Sequence, residues 1–303
     1  MDAREVSGEV ITSDAPDIRR AGVQSPEVTP TPQRLRLTVT YDGTDFHGWA
    51  PQPSSRTVAG EVRTALEHLF GPLITLVVAG RTDAGVHATA QVCHTDVDAT
   101  RWEAHGGEHK LLWRLRGILP PDVRVTTIQP IAPTFDARFS ALARHYEYRI
   151  SDETYGVQPL HRRDTLAWNR PLDPDEMSRA AQTLLGEHDF AAFCKKREGA
   201  TTIRALNHLD VTRDPDNRVT VRVSADAFCH SMVRSLVGAL LAVGDGRRPA
   251  DWPARLLART ERSSEVIVAP AHGLTLVRVD YPSDAAGWIA RDQATRRVRT
   301  LER

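Results

Sequence analysis

From residue 34 the chain alternates apolar and polar positions. Leu35, Leu37, Val39 and Tyr41 fall on one side of Arg34-Leu35-Arg36-Leu37-Thr38-Val39-Thr40-Tyr41, the signature of a strand with one buried face. Asp42-Gly43 then supplies turn chemistry. The period changes next. Val58, Val62, Leu66 and Leu69 recur at helical spacing, and Thr57 ahead of Gly60-Glu61 serves as an N-cap signal. The run Leu73-Ile74-Thr75-Leu76-Val77-Val78 predicts a buried strand, His109 to Leu119 a helix, and Val123 to Ile128 a strand.

The rhythm returns further on. Tyr146 to Ile150 alternates as a strand. Asp175 to Leu185 is amphipathic, with Pro174 at its start and Gly186 past its end. His208 to Val211 and Val219 to Val223 flank Asp214-Pro215-Asp216-Asn217, which predicts a hairpin. Ser231 to Val243 reads as a helix, Trp252 to Leu257 as a shorter one, and Leu274 to Val279 as the last strand. Each half thus interleaves strands with two helices. Hairpin connections point to mostly antiparallel pairing in an α+β fold, built as two copies of one plan.

The predicted organisation is a disordered N-terminal tail over 1–33, halves over 34–140 and 141–282, and a polar, Arg-rich tail or loose helix over 283–303. The first segment is rich in Pro, Ser, Thr and acids and shows no period. No apolar stretch approaches the ~20 residues of a membrane-spanning helix. The N-terminus lacks the positive-then-apolar pattern of a secretory signal. The 3 cysteines, Cys93, Cys194 and Cys229, show neither metal-ligand nor redox-motif spacing, which predicts reduced thiols in a cytoplasm.

Formal net charge is +0, so composition alone does not indicate nucleic-acid binding. Local charge is uneven. The cluster Cys194-Lys195-Lys196-Arg197 is either a solvated face or a steering patch.

Directly after the apolar run stands Ala79-Gly80-Arg81-Thr82-Asp83-Ala84-Gly85-Val86-His87-Ala88. A loop bracketed by Gly80 and Gly85 at a strand end can aim one carboxylate in a fixed direction. Arg81 lies within reach of that carboxylate or of a phosphate. An Asp side chain, which ordinarily titrates near pH ~3.9, is ionised at neutral pH and can serve as nucleophile or base. The bland alternative is a turn cap paired with Arg81, with His87 a hydrogen-bonding fixture. Metal-assisted hydrolysis by Asp83, His87 and His94 matches no ligand spacing. Glycoside hydrolysis needs paired carboxylates, and only Asp83 sits in the motif; Asp96 and Asp98 read as a solvent face.

The motif as a whole is far more specific than its parts. Gly80 to Ala88 resembles the active-site signature of the tRNA pseudouridine synthase A family. Further segments resemble that family in the same order: Tyr41 to Trp49, Phe135 to Ala141 followed by Arg144-His145-Tyr146-Glu147-Tyr148, Gly186 to Phe193, and Phe228-Cys229-His230-Ser231-Met232-Val233-Arg234. The resemblance runs from about Arg34 to Pro282.

The resemblance implies two ferredoxin-like (RRM-like) halves sharing a continuous, mostly antiparallel sheet, with helices packed on it and a central active-site cleft. It implies a homodimer, and isomerisation of uridines 38, 39 and 40 in the tRNA anticodon arm without metal or organic cofactor. Asp83 would be the catalytic carboxylate, Tyr146 the partner of the substrate ring, and Arg81 would enter the RNA near the target base. Arg234, near the start of the helix predicted from Ser231, is expected to pair with Asp83 or with a phosphate. Ala50 stands where the family commonly has Gln, Arg114 to Ile118 lacks its usual Asn, and Ser231 replaces a common His. A synthase acting on another RNA, and a non-catalytic RNA-binding module, are the two other readings.

Overall fold

The computed structural model describes residues 31–72, 75–195 and 201–297. The predicted N-terminal tail therefore lies outside the described residues except at its end, as do Leu73, Ile74, Lys196 and Arg197. The elements are β1 (Pro32–Tyr41), α1 (Val58–Phe70), β2 (Val77–Val78), β3 (His87–Asp98), α2 (Ala99–Ala104), α3 (Glu108–Ile118) and β4 (Val123–Pro130). Then follow β5 (Ala143–Ser151), β6 (Leu166–Ala167), α4 (Pro174–Gln182), β7 (Gly186–Asp189), β8 (Ile203–Arg213), β9 (Val219–Ala225), α5 (Met232–Gly244), α6 (Trp252–Leu256), β10 (Leu274–Asp280) and α7 (Ala285–Thr295).

One sheet joins them in the order β4-β1-β3-β10-β5-β9-β8-β7, with β2 on β3 and β6 on β5. The two copies of the plan are visible in that order. β1, β2, β3 and β4 around α1 and α3 repeat the ferredoxin-like arrangement of β5, β8, β9 and β10 around α4 and α5. Pairing is antiparallel apart from β10 on β3 and β6 on β5.

The junction between the copies explains where the site forms. β2 pairs with the far part of β3, Val77 opposite His94 and Val78 opposite Cys93. It ends at Val78, where the predicted strand ends, but starts at Val77; of the predicted start, Leu73 and Ile74 lie outside the described residues. The near part of the same β3 edge is thereby left to β10, with Thr275 opposite His87 and Leu276 opposite Ala88. The segment from Ala79 to Val86 emerges at this seam.

Local sequence accounts for most elements. Leu35, Leu37, Val39 and Tyr41 are buried together, as alternation requires. Thr57 caps α1 by accepting from the Gly60 N–H. Asp173 caps α4 by accepting from the N–H groups of Asp175 and Glu176, with Pro174 in the first turn. α4 ends at Gln182, short of the predicted Leu185. The Thr183 hydroxyl donates to the Ala180 carbonyl at 2.7 Å and competes with continuation of the helix.

Three readings of the sequence are corrected. First, Asp96, read with Asp98 as a solvent face, is half-buried beside the buried His94. Asp96 accepts a bidentate pair from Arg34, both contacts at 2.8 Å, and His94 is 2% exposed. Second, within the predicted tail or loose helix, Ala285–Thr295 form a helix that is docked and not loose. Asp284 caps α7, whose Trp288 ring meets Phe135 edge-on at 5.3 Å, while Arg291 donates to the Ala141 carbonyl at 3.0 Å. Arg36, on the opposite side of β1 from Leu35 and Leu37, stacks over Phe135 and Tyr281 at 5.5 and 5.0 Å. One docked tryptophan in a polar stretch was too weak a periodic signal to reveal this second packing layer. Third, Cys194 and Cys229, 35 residues apart, are joined in a disulfide with their Cα atoms 5.8 Å apart. Spacing along the chain could not show an adjacency made by β8 and β9 folding back between them. Cys93 stays a buried free thiol.

Burial, reinforced by the Arg34 charge, pulls the pKa of the His94 imidazole from 6.5 down to about 4. Its Nδ1 accepts from the Ala137 N–H at 2.9 Å. The unfolded chain therefore binds a proton that the folded chain refuses. His94's stabilising share is complete above about pH 6.5 and is lost as the pH falls towards about 4. His94→Asn keeps an acceptor without this titration. The variant is expected to lose less of its urea midpoint than wild type between about pH 7 and about pH 5. Equal losses in the two proteins would refute this assignment.

Candidate active site

The segment after β2 is held almost atom by atom. The Ala79 N–H donates to the Val92 carbonyl at 2.8 Å, still within the sheet. The Gly80 carbonyl accepts from Gln91 Nε2 at 2.8 Å, and Gln91 is fully buried. Thr82 shares a 2.8 Å hydrogen bond with the Tyr41 hydroxyl, and its carbonyl accepts from the Trp49 N–H at 3.1 Å. Burial raises the Tyr41 pKa to about 12, so this phenol keeps its proton at neutral pH. The Val86 N–H closes a turn on the Asp83 carbonyl at 3.2 Å. Gly85 takes φ 79 in that turn, a region that L side chains avoid; Gly80 needs no such freedom.

His87 is the fixture at the loop's end. It is 6% exposed. Its Nδ1 accepts from the Gly43 N–H at 2.9 Å, so Nε2 carries the proton towards the carbonyls of Arg163 and His272, at 2.8 and 3.0 Å. His87 thus joins β1's end, the Arg163 turn and the approach to β10. Both ring nitrogens are engaged by backbone, so His87 is not presented to a substrate.

Asp83 stands at the loop's exposed bend with 26% of its side chain accessible. The partners that face it come from the second half. Arg234 Nη1 lies 3.4 Å from Oδ2, the Ser231 hydroxyl 3.4 Å from the same oxygen, and His230 Nε2 3.5 Å from Oδ1. Arg234 is itself clamped, because its Nε donates to the Ala269 carbonyl at 2.7 Å. The expected pairing of Arg234 with Asp83 is present. Arg81, also considered as Asp83's partner, is instead exposed and does not contact it.

Tyr146 projects from β5 into the same region and is 8% exposed. Its ring meets Phe228 edge-to-face, centroids 5.3 Å apart. Burial drives its phenol pKa far above the usual value, and the negative charge of Asp83 adds to that rise. The phenol is therefore a neutral, aromatic wall beside Asp83 at physiological pH. His230 and Ser231 had no role assigned from sequence. Their signal was positional, since they lie four and three residues ahead of Arg234. Ser231 adopts φ 63, ψ 8 as it starts α5, a left-handed conformation unusual for a non-glycine residue. Such a backbone persists only where surroundings impose it, and here it brings the hydroxyl to Asp83.

The site therefore offers one oriented carboxylate, a guanidinium 3.4 Å from it, two further polar side chains and a buried aromatic ring. That equipment suits nucleophilic or basic attack by a single acid.

The tRNA pseudouridine synthase family pattern matches residues 180–282. The tRNA pseudouridine synthase A of Frankia casuarinae is 57% identical over 267 residues, covering 88% of this chain and 95% of that one. That of Streptomyces griseus subsp. griseus is 55% identical over 271 residues, covering 88% and 94%. That of Mycobacterium leprae is 53% identical over 260 residues, covering 83% and 90%. Alignments of this length take in the first half of the chain as well as the second. With identity at this level over nearly the whole length of each relative, the chain belongs to the tRNA pseudouridine synthase A family, isomerases that make pseudouridine in tRNA.

Proposed function

We propose that this enzyme isomerises uridines 38, 39 and 40 in the anticodon arm of tRNA, as a cytoplasmic homodimer, with Asp83 as its catalytic carboxylate. The observation that carries the reading is the setting of Asp83: a partly accessible acid at the seam of the two halves, faced by Arg234 at 3.4 Å and near enough to the buried Tyr146 for its charge to act on that phenol.

The chemistry requires little else. The bond from uracil N1 to the ribose C1′ breaks, the base turns, and C5 bonds to C1′. C5 gives up its hydrogen and N1 gains one, so nothing leaves and no water is consumed. A single carboxylate meets this need, by attack on the sugar or base or by removal of a sugar proton. Arg234, itself held by the Ala269 carbonyl, aims it. The target base must first leave its stack, at a cost of a few kcal/mol. Tyr146 gives the extruded ring an apolar surface, and exposed Arg81 is placed to enter the space the base vacates. The route needs neither metal nor organic cofactor.

The test is pseudouridine mapping in tRNA from cells with and without the gene. Loss confined to positions 38, 39 and 40 is the expected result. Loss at other tRNA positions, or in another RNA, would overturn the assignment of target.

A further inference from the structure

Arg144 has no part in the chemistry above, yet it is placed at considerable cost. It sits on β5 two residues before Tyr146 and so projects to the same side of the sheet. It is 6% exposed. Burial pulls its pKa below the usual arginine value. An apolar side chain would fill such a place with a smaller desolvation penalty, so its polar contacts carry the explanation.

The guanidinium donates to three main-chain carbonyls. Nη1 reaches Asp226 at 2.6 Å; Nη2 reaches Ala79 at 2.7 Å and Arg138 at 2.6 Å. Ala79 is the last residue before the Gly80–Val86 loop, four positions ahead of Asp83. Asp226 follows β9 and leads into Phe228–Arg234, which carries all three partners of Asp83. Arg138 lies in the segment that links the halves. One planar group thus touches the chain just before the acid and just before the groups that face it. A guanidinium presents its donors in a fixed fork, so its acceptors are held at a set spacing.

We propose that Arg144 is a positioning residue that sets the separation of Asp83 from Arg234, Ser231 and His230 by tying the Ala79 and Asp226 carbonyls to one guanidinium. The inference rests on the isomerase reading with Asp83 as its carboxylate. Arg144 touches no substrate. It aligns two segments from different halves, which have no covalent reason to stay in register.

The test compares wild type, Arg144→Lys and Arg144→Gln, with Asp83→Asn as the inactive control. For each, thermal unfolding, the Kd for tRNA and single-turnover tritium release at saturating enzyme are measured. Both Arg144 variants are expected to fold and to bind tRNA within about threefold of wild type, and to release tritium about 100-fold more slowly, the scale of an ångström-sized misalignment. Lysine should not rescue the rate, because it keeps the charge and loses the fork. In Arg144→Ala, millimolar methylguanidinium should restore part of it. Wild-type single-turnover rates in a folded Lys or Gln variant would overturn the proposal. So would a rate loss wholly matched by lost tRNA binding, or an Arg144→Lys chain that does not fold, since Arg144 would then support the core instead. If wild type itself releases no tritium from tRNA, the isomerase reading is what fails, and this inference falls with it.

Discussion

Asp83→Asn is expected to abolish tritium release from tRNA carrying 5-tritiated uridine, while the protein stays folded and still binds tRNA. Tritium leaves only when C5 exchanges its hydrogen for the bond to the sugar, so release reports the reaction itself. Asparagine has the carboxylate's shape without its charge, nucleophilicity or basicity. The loss should be at least about 1,000-fold, in the range for removal of a proton-transfer or nucleophilic group. The fold should be nearly indifferent. Asp83 is 26% accessible, and Arg234 keeps its bond to the Ala269 carbonyl when the acid is gone. A partly exposed ion pair contributes no more than about 1 kcal/mol. Turnover within about tenfold of wild type would show that another group does the chemistry. Loss of release together with loss of folding would leave the effect attributable to the fold, and Asp83→Glu, which retains a carboxylate, would then separate the two.

The largest expected effect on stability comes from Gly238→Ala. In an ordinary buried helix this change is favourable, by up to about 1 kcal/mol from helix propensity. Here the sign should reverse. A Cβ at Gly238 would lie 1.7 Å from the Ile267 carbonyl oxygen and 2.8 Å from its carbon, both backbone atoms that cannot swing aside. The 266–269 segment must then move away from α5, at a cost of about 3 kcal/mol. Function should suffer with stability. The same close approach lets the Ala269 N–H donate to the Arg234 carbonyl at 3.0 Å and lets Arg234 Nε reach the Ala269 carbonyl. Pushing that segment out releases the clamp on the guanidinium that faces Asp83. The expected result is a lowered urea midpoint with an unchanged m-value, and a lower turnover per folded molecule. Unchanged or raised stability would mean that the backbone adjusts cheaply at this crossing.

How much of this was legible beforehand varied with the distance over which each signal acts. β1, α1, α3, β4, β5, α5 and β10 followed from periodicity within a few residues of each boundary. β3 was only partly legible: His94 and Asp96 alternate as a strand would, yet they are buried or half-buried, because Arg34, Phe135 and α7 cover the face that alternation assigns to water. α7 was legible only as an alternative to a tail, and its docking was hidden, since Trp288 is its large aromatic anchor. The disulfide joins residues whose adjacency is made by a hairpin between them.

At the site, sequence alone determined the identity of the principal groups. The motif around Asp83 and the segments around Tyr146 and Arg234 were specific enough to name the family before any coordinates, because chemistry restricts residue types at fixed short spacings. Only the tertiary structure decided how those groups meet. That the β3 edge beyond β2 is taken by β10 is a pairing between strands from opposite halves of the chain. That His230 and Ser231 join Arg234 at the acid depends on a left-handed residue at the head of α5. That Arg144 spans both segments depends on three carbonyls brought together from three parts of the chain. Such contacts are sums of distant backbone paths, and no local pattern of residues encodes where those paths converge.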